Sequence, residues 1–441
     1  MNSRKTLRAN SAGHLEIGGC DTLELAKEFG TPLYVYDEDY IRTMMRVFKD
    51  TINKAYAGHG NVLYASKAFS CLAMYRIAKQ EGIGCDAVSG GELYTALKAG
   101  FNASDIYVHG NNKTYEELVQ AVEAGVGAIV IDSYREADIL NRIAAERGVK
   151  QKVLIRVNPG VEAHTHAFVQ TARTDSKFGF SIRDNTALDY TKHVLSLKNL
   201  DLKGYHCHIG SQIFEKQSFS LAAQNMLRFM ATVKKEADFE AEILNMGGGF
   251  GIYYTDEDPK FGVKDYAEYL LTLIDAVKAK SEELNFRLPY LLIEPGRSIV
   301  GEAGITLYTV GSIKDIPGIR KYVAIDGGMF ENPRYALYQS KYTVVKAADV
   351  DAENVQKVSI AGKCCESGDL IGVDLPLPEV ESGDILAVLS TGAYHYSMAS
   401  NYNRNFIPQA IIVKDGRAET VIRKQTFEDL VRNDVIPDGL K

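Results

Sequence analysis

Between about residue 60 and residue 297, short apolar runs alternate with longer stretches of helical periodicity. The runs are Val62–Ala65, Cys85–Val88, Ile106–His109, Ala128–Ile131, Val153–Val157, Leu202–Ile209, Ala241–Met246 and Tyr290–Glu294. They are rich in Val, Ile and Tyr and often closed by glycine, the pattern of strands buried on both faces. Between them, Thr114–Ala124 and Ser133–Arg147 carry apolar residues at helical spacing with charges on the opposite face. Eight strands in strict alternation with helices predict a parallel (β/α)8 barrel of the TIM type, with a doubly wound open sheet as the alternative. Eight units in about 240 residues is the usual barrel size.

After Arg297 the rhythm changes. Ile305–Lys314, Lys321–Asp326, Lys341–Ala348, Val355–Ala361, Asp384–Ser390, Gln409–Lys414 and Ala418–Lys424 read as strands joined by turns such as Lys414-Asp415-Gly416. They predict an all-β sandwich or barrel domain. An early strand, Leu33–Tyr36, is expected to pair with it. The expected division is a barrel over residues 38–297, with residues 1–37 joining 298–441 in the β-rich domain.

A chain of 441 residues is too long for one ordinary core, which agrees with two domains. A net charge of −7 argues against nucleic-acid and membrane-surface partners, yet leaves room for a small anionic ligand held by a few local arginines. No apolar run approaches the roughly 18 residues of a membrane span. Met1–Gly13 is polar and basic without the apolar segment of a secretory leader. None of the six cysteines forms a C-x-x-C pair, so no metal or redox framework is expected. The expected location is the reducing cytoplasm.

In a (β/α)8 barrel the active site lies at the carboxyl ends of the strands. Those ends carry Lys67, Asp86, His109, Asp132, Arg156, His208, Gly247-Gly248-Gly249, Glu294 and Arg297. Lys67 is either a solvated loop residue or an amine that forms a Schiff base with an aldehyde cofactor. The glycine triplet is either a tight strand–helix turn or a phosphate site, since the loops after the seventh and eighth strands commonly bind phosphate. Glu294 is either a salt-bridge partner of Arg297 or a carboxylate set against a pyridine nitrogen, which would make that ring an electron sink. His206 and His208 share one strand face by periodicity, so the sequence does not rank them. Cys364-Cys365-Glu366-Ser367-Gly368-Asp369 contains two thiols, readable as small buried residues or as a proton donor.

Together these motifs resemble the diaminopimelate decarboxylases, members of the alanine-racemase-like, fold-type III group of pyridoxal-phosphate enzymes. The likeness runs from about Pro32 to Thr426-Phe427-Glu428-Asp429-Leu430. It implies a barrel followed by a β-rich domain that supplies substrate and dimer-interface residues, and pyridoxal 5'-phosphate as the cofactor. It further implies that Lys67 carries the cofactor as a Schiff base and that His208 stacks on its ring. Ser211, Gly248, Gly249, Pro295, Gly296, Arg297 and Tyr394 would contact the cofactor, mostly at its phosphate. Glu294 would bond the ring nitrogen, with Asp86, Glu92 and Arg156 in support. The racemases of the group place an arginine at that nitrogen, so a glutamate favours decarboxylation.

The substrate implied is meso-diaminopimelate, converted to L-lysine and CO2 in the last step of lysine biosynthesis. Its non-reacting end carries both a carboxylate and an ammonium, for which Arg297, Arg334, Tyr338, Glu366 and Tyr394 would serve. Cys365 would protonate Cα, and the active sites would be shared across a homodimer. Two stretches depart from the family pattern: Tyr335 replaces a proline, and Asn401–Phe406, expected to affect a dimer-facing loop, lacks a Ser-Arg-Pro run. The rival readings are a decarboxylase of the same fold for another amino acid or a carboxylated polyamine, and a non-catalytic relative. Arg334 argues against a simple diamine product.

Overall fold

The computed structural model describes residues 7–161 and 176–441. Met1–Thr6, part of the stretch read for a leader, lie outside the described residues. Eight strands form a closed parallel barrel: β1 Gly60–Ala65, β2 Gly84–Ala87, β3 Ile106–Val108, β4 Ala128–Ile131, β5 Gln151–Asn158, β6 Leu200–His206, β7 Ile243–Asn245 and β8 Tyr290–Ile293. Each pairs with the next, and β8 returns to β1 through Leu291–Gly60, Leu292–Asn61 and Ile293–Val62. Closure removes both sheet edges and decides against the open-sheet alternative.

The predicted strands match these to within a few residues. The main difference is β6, which ends at His206 rather than Ile209. His208 therefore lies beyond the strand, where the two-residue periodicity no longer applies.

Local chemistry fixes the intervening helices. Helix Tyr115–Ala124 starts at a capping box of Thr114 and Glu117 and stops at Gly125, whose φ of 69° is left-handed. Helix Tyr134–Glu146 is capped by the Ser133 side chain. The two are tied by a buried ion pair, Lys113 Nζ to Glu136 Oε1 at 2.7 Å. The same ammonium also donates to the carbonyls of Gly110 (2.7 Å) and Val130 (2.6 Å), so all three of its protons are used.

The chain divides into two compact units. One comprises Arg42–Ile252 with Phe261–Ile299; the other comprises Met1–Ile41, Tyr253–Lys260 and Val300–Lys441. The second is built on β9 Gly304–Ile316, β10 Arg320–Ile325, β11 Val344–Lys346, β12 Gln356–Ala361, β13 Leu370–Leu377, β14 Ile385–Leu389, β15 Gln409–Lys414 and β16 Arg417–Ile422. Strand Leu33–Asp37 lies between β9 and β15, pairing antiparallel with the first and parallel with the second. That is the pairing expected for the early strand.

A three-stranded sheet, Leu7–Ala9, Leu15–Ile17 and Cys20–Asp21, packs Leu7, Leu15 and Ile17 into a core with Leu33, Val35, Ile305, Leu307, Ile411 and Val413. These strands are too short to show a period in the sequence. No helix among the described residues is long and apolar enough to cross a membrane.

Candidate active site

The barrel places Lys67 on a single 3-10 turn, Ser66–Ala68, directly after β1. Ser66 and Ala68 are buried, whereas Lys67 is exposed. Two acids from the β2 end hold the turn. Asp86 Oδ1 accepts the Ser66 N–H at 3.0 Å, and Glu92 Oε2 accepts the Ser66 hydroxyl at 3.0 Å and the Val88 N–H at 2.8 Å. Burial pushes Asp86 well above the usual carboxylate range; the charge of Glu294 adds to this and that of Lys67 opposes it.

The glycine turn after β7 admits no side chains. A Cβ on Gly248 would lie 2.0 Å from the Glu294 carbonyl, and one on Gly249, whose φ is 106°, 2.2 Å from the Gly210 carbonyl. Gly248 donates its N–H to His208 Nδ1 at 3.3 Å. Pro295 joins the barrel ends, its carbonyl accepting the Ala65 N–H at 3.1 Å. Gly296 packs so closely that a Cβ there would lie 2.7 Å from Ala65 Cβ. The buried Arg297 guanidinium donates to Ser211 Oγ at 2.9 and 3.3 Å. This brings the ends of β6 and β8 together around a hydroxyl and a cation, beside bare backbone.

Glu294 follows β8 and is buried. Its Oε1 accepts from Asn245 Nδ2 at 2.7 Å and lies 2.8 Å from His109 Nε2; its Oε2 lies 3.2 Å from His206 Nε2. The salt bridge to Arg297 weighed from sequence gives way to this arrangement of histidines and an amide. Burial drives His206 down to about 4, with Glu294 opposing, and lowers His109 as well. Both imidazoles are therefore neutral near pH 7. Burial alone would raise Glu294; with neutral imidazoles around it, what opposes burial is hydrogen bonding, from Asn245 Nδ2 and His206 Nε2.

His208, pushed far down by burial and then by Lys67 and Arg156, is a neutral ring. The structure thus separates the two histidines that sequence could not rank: His206 serves Glu294, and His208 lies against the glycine turn. Arg156 stands 4.2 Å over the Phe178 ring. Burial raises Asp132 to about 6, against the pull of Arg156.

The β-rich unit carries a second group. Arg334 opens the short helix Arg334–Tyr338 and is 7% exposed. Its Nε donates to the Tyr342 hydroxyl at 3.0 Å, and its guanidinium carbon lies 5.2 Å from the rings of both Tyr338 and Tyr394. No acidic side chain among the described residues pairs with it. Tyr394 takes a left-handed φ of 74°.

Cys365 and Glu366 lie exposed on a turn whose base is fixed by Asp369, which accepts the Cys364 N–H at 2.7 Å and the Met329 N–H at 2.6 Å. Burial and then Asp369 push the Cys364 thiol up to about 11. The stretch Asn401–Phe406 turns out to brace this turn. Asn403 Oδ1 accepts the Cys365 N–H at 2.8 Å, and Asn405 Nδ2 lies 3.7 Å from Cys364 Sγ.

Sequence reasoning gave no role to His109, Lys113, Glu136, Asn245 or Asn403. Asn245 left a signal: it is the polar last residue of an otherwise apolar strand, and it is fully buried. Lys113 left none, since a lysine in Gly110-Asn111-Asn112-Lys113 reads as a loop residue.

Residues 40–301 match the family described as pyridoxal-dependent decarboxylase, pyridoxal binding domain. Fold and family match define a pyridoxal-dependent decarboxylase. Over 430 residues the chain is 49% identical to a diaminopimelate decarboxylase of Bacillus subtilis, covering 98% of this chain and 97% of the relative. It is 48% identical to that of Staphylococcus aureus over 438 residues, 97% and 99% of the two chains. The crystal structure of diaminopimelate decarboxylase from M. jannaschii in co-complex with L-lysine superposes with a TM-score of 0.91 at 35% identity over 100% of both chains. The chain belongs to the diaminopimelate decarboxylase family. A lysine/ornithine decarboxylase from Vibrio vulnificus, at 20% identity and a TM-score of 0.74 over 89% of this chain and 98% of that one, shares the fold.

Proposed function

We propose that the chain decarboxylates meso-2,6-diaminopimelate at its D-centre, giving L-lysine and CO2 with pyridoxal 5'-phosphate as cofactor, and so completes lysine formation. The observation that carries the substrate reading is Arg334. A guanidinium is always charged, and a buried charge without a partner is costly. Here its neighbours are tyrosines: Tyr254, Tyr338, Tyr342 and Tyr394. A ligand carboxylate supplies the missing anion; the distal end of lysine or ornithine is an amine and does not. Conversion of meso-diaminopimelate to equimolar lysine and CO2 by the purified protein tests the assignment.

The residues of the barrel fit the cofactor. A buried anionic carboxylate with neutral partners suits a cationic ring N–H, and the Ser211–Arg297 pair beside Gly248 and Gly249 suits a phosphate. When bound, pyridoxal 5'-phosphate supplies an aldehyde that captures an amine and a ring that takes up the electrons left as CO2 departs.

This chain's residues do the rest. Lys67 supplies the holding amine on a turn that Asp86 and Glu92 keep rigid. His208, neutral across the working pH range, presents a ring face without adding charge. Ser211, Gly248, Gly249, Gly296, Arg297 and Tyr394 hold the phosphate end, Pro295 shapes that turn, and Arg156 supports the site. Arg334, Arg297, Tyr338 and Tyr394 bind the distal carboxylate, and Glu366 takes the distal ammonium. Cys365 delivers a proton to Cα, replacing the carboxylate that left.

The working unit in this reading is a cytoplasmic homodimer in which Cys365 and Glu366 of one subunit complete the barrel site of the other. The family resemblance supports the dimer. The six cysteines, all free, fit a reducing compartment. Mixing inactive Lys67→Ala and Cys365→Ala subunits then restores roughly a quarter of wild-type activity, because half of the dimers are mixed and each has one intact site. Mixed dimers confirmed by mass spectrometry that stay inactive would exclude shared sites.

A further inference from the structure

Four barrel strands converge on the carboxylate of Glu294. His109 lies one residue beyond β3, His206 ends β6, Asn245 ends β7 and Glu294 follows β8. All four are buried, at 5%, 1%, 0% and 8% exposure. The two imidazoles meet edge to face, with centroids 4.7 Å apart at 72°. Asn245 is itself oriented: its Oδ1 accepts the Gly247 N–H at 2.9 Å, which leaves its amide N–H groups for Glu294.

An ionised carboxylate has about four acceptor positions. Asn245 and His206 hydrogen-bond to two of them, and His109 Nε2 lies 2.8 Å from Oε1 but out of hydrogen-bond alignment; all three groups are uncharged if both histidines carry their proton on Nε2. That tautomer leaves His206 Nδ1 as a bare acceptor, in keeping with its having no hydrogen-bond partner among the described residues. Other ionisable groups bearing on the cluster are Asp86, whose burial and proximity to Glu294 favour its neutral form, the cations Arg156 and Lys113, and the neutral groups His208, Cys207 and Tyr107. Donors without charge stabilise an anion but do not neutralise it. Acceptor capacity and the negative charge of Glu294 thus remain for a ligand.

We propose that His109, His206 and Asn245 are positioning residues that keep Glu294 ionised and oriented for one cationic N–H, the ring nitrogen of the cofactor. This rests on the cofactor reading above and adds to it the groups that set the protonation of that nitrogen. Cations in place of the histidines would satisfy Glu294 from the protein itself and weaken its hold on the ring.

The test uses holoenzyme reconstituted with pyridoxal phosphate labelled with 15N in the ring, read by solid-state NMR, together with kcat and KM. Wild type, His206→Gln and His109→Gln, which keep an N–H donor, are expected to show a protonated ring nitrogen at pH 7.5. His206→Leu and His109→Leu are expected to shift it towards the unprotonated value. Their kcat is expected to fall about 10- to 100-fold, the usual cost of losing an outer partner, with KM changed less than about twofold. Leucine variants that keep both the wild-type 15N shift and wild-type kcat would overturn the proposal.

Should the leucine variants fail to fold, 15N-histidine labelling of the wild type decides. Neutral Nε2–H tautomers at His109 and His206 are expected, and an imidazolium or an Nδ1–H form at either refutes the cage. The trio of His109, His206 and Glu294 also has the composition of a metal site. Stoichiometric zinc retained by the purified holoenzyme would overturn the proposal as well. Wild-type protein that takes up no pyridoxal phosphate would instead remove the cofactor reading on which it stands.

Discussion

Lys67→Ala is expected to yield a protein to which borohydride no longer fixes the cofactor, with activity reduced by roughly 10^3-fold or more. Among the described residues, Lys67 and Lys113 follow barrel strands β1 and β3, and their surroundings separate them. Lys113 spends its three protons on Gly110, Val130 and Glu136, and both partners of that ion pair are nearly inaccessible, so it has no free amine. Lys67 is exposed, on a turn fixed by Asp86 and Glu92. Folding is expected to survive its loss, because an exposed side chain contributes little to the core. Mass spectrometry of the borohydride-reduced wild type checks the assignment, and label found on Lys113 or any other lysine would contradict it.

Arg334→Ala is the second large effect expected. The guanidinium is 7% exposed, so the ion pair it makes with a carboxylate is largely desolvated, and losing it costs about 2–5 kcal/mol. At 1.4 kcal/mol per tenfold, kcat/KM for meso-diaminopimelate falls about 30- to 4,000-fold. Cofactor absorbance should be retained, because all the ring and phosphate residues except Tyr394 sit at the barrel strand ends. Lysine, which lacks a distal carboxylate, should be turned over no worse by the variant than by the wild type. Titrating the visible band with substrate and with pyridoxal phosphate separates the two effects. A variant that loses both together would place Arg334 at the cofactor instead.

The barrel was legible because each strand is buried on both faces, which leaves an apolar run too short for a helix. Such runs announced all eight strands, and their ends announced Lys67, Glu294 and Arg297. In the β-rich unit, β13 went unread. It contains Gly372 and Pro376 and alternates irregularly, which its position at the end of the sheet permits, since an edge strand tolerates proline.

What the sequence hid is contact between distant residues. The partners of Glu294 lie 49, 88 and 185 positions away along the chain, and only barrel closure brings them together. His206 and His208 looked equivalent until the strand was seen to end between them. Asn403 looked like a departure of no chemical consequence, yet it holds the backbone of Cys365.

The central claim is that this site decarboxylates a substrate with an amino-acid head at each end. CO2 release measured over meso-, LL- and DD-diaminopimelate, lysine, ornithine and arginine tests it most directly. The expected result is a kcat/KM for meso-diaminopimelate at least about 10^3-fold above those for lysine, ornithine and arginine, since a site built around a charged partner rejects ligands that leave it unpaired. Faster release from lysine, ornithine or arginine than from meso-diaminopimelate would contradict it.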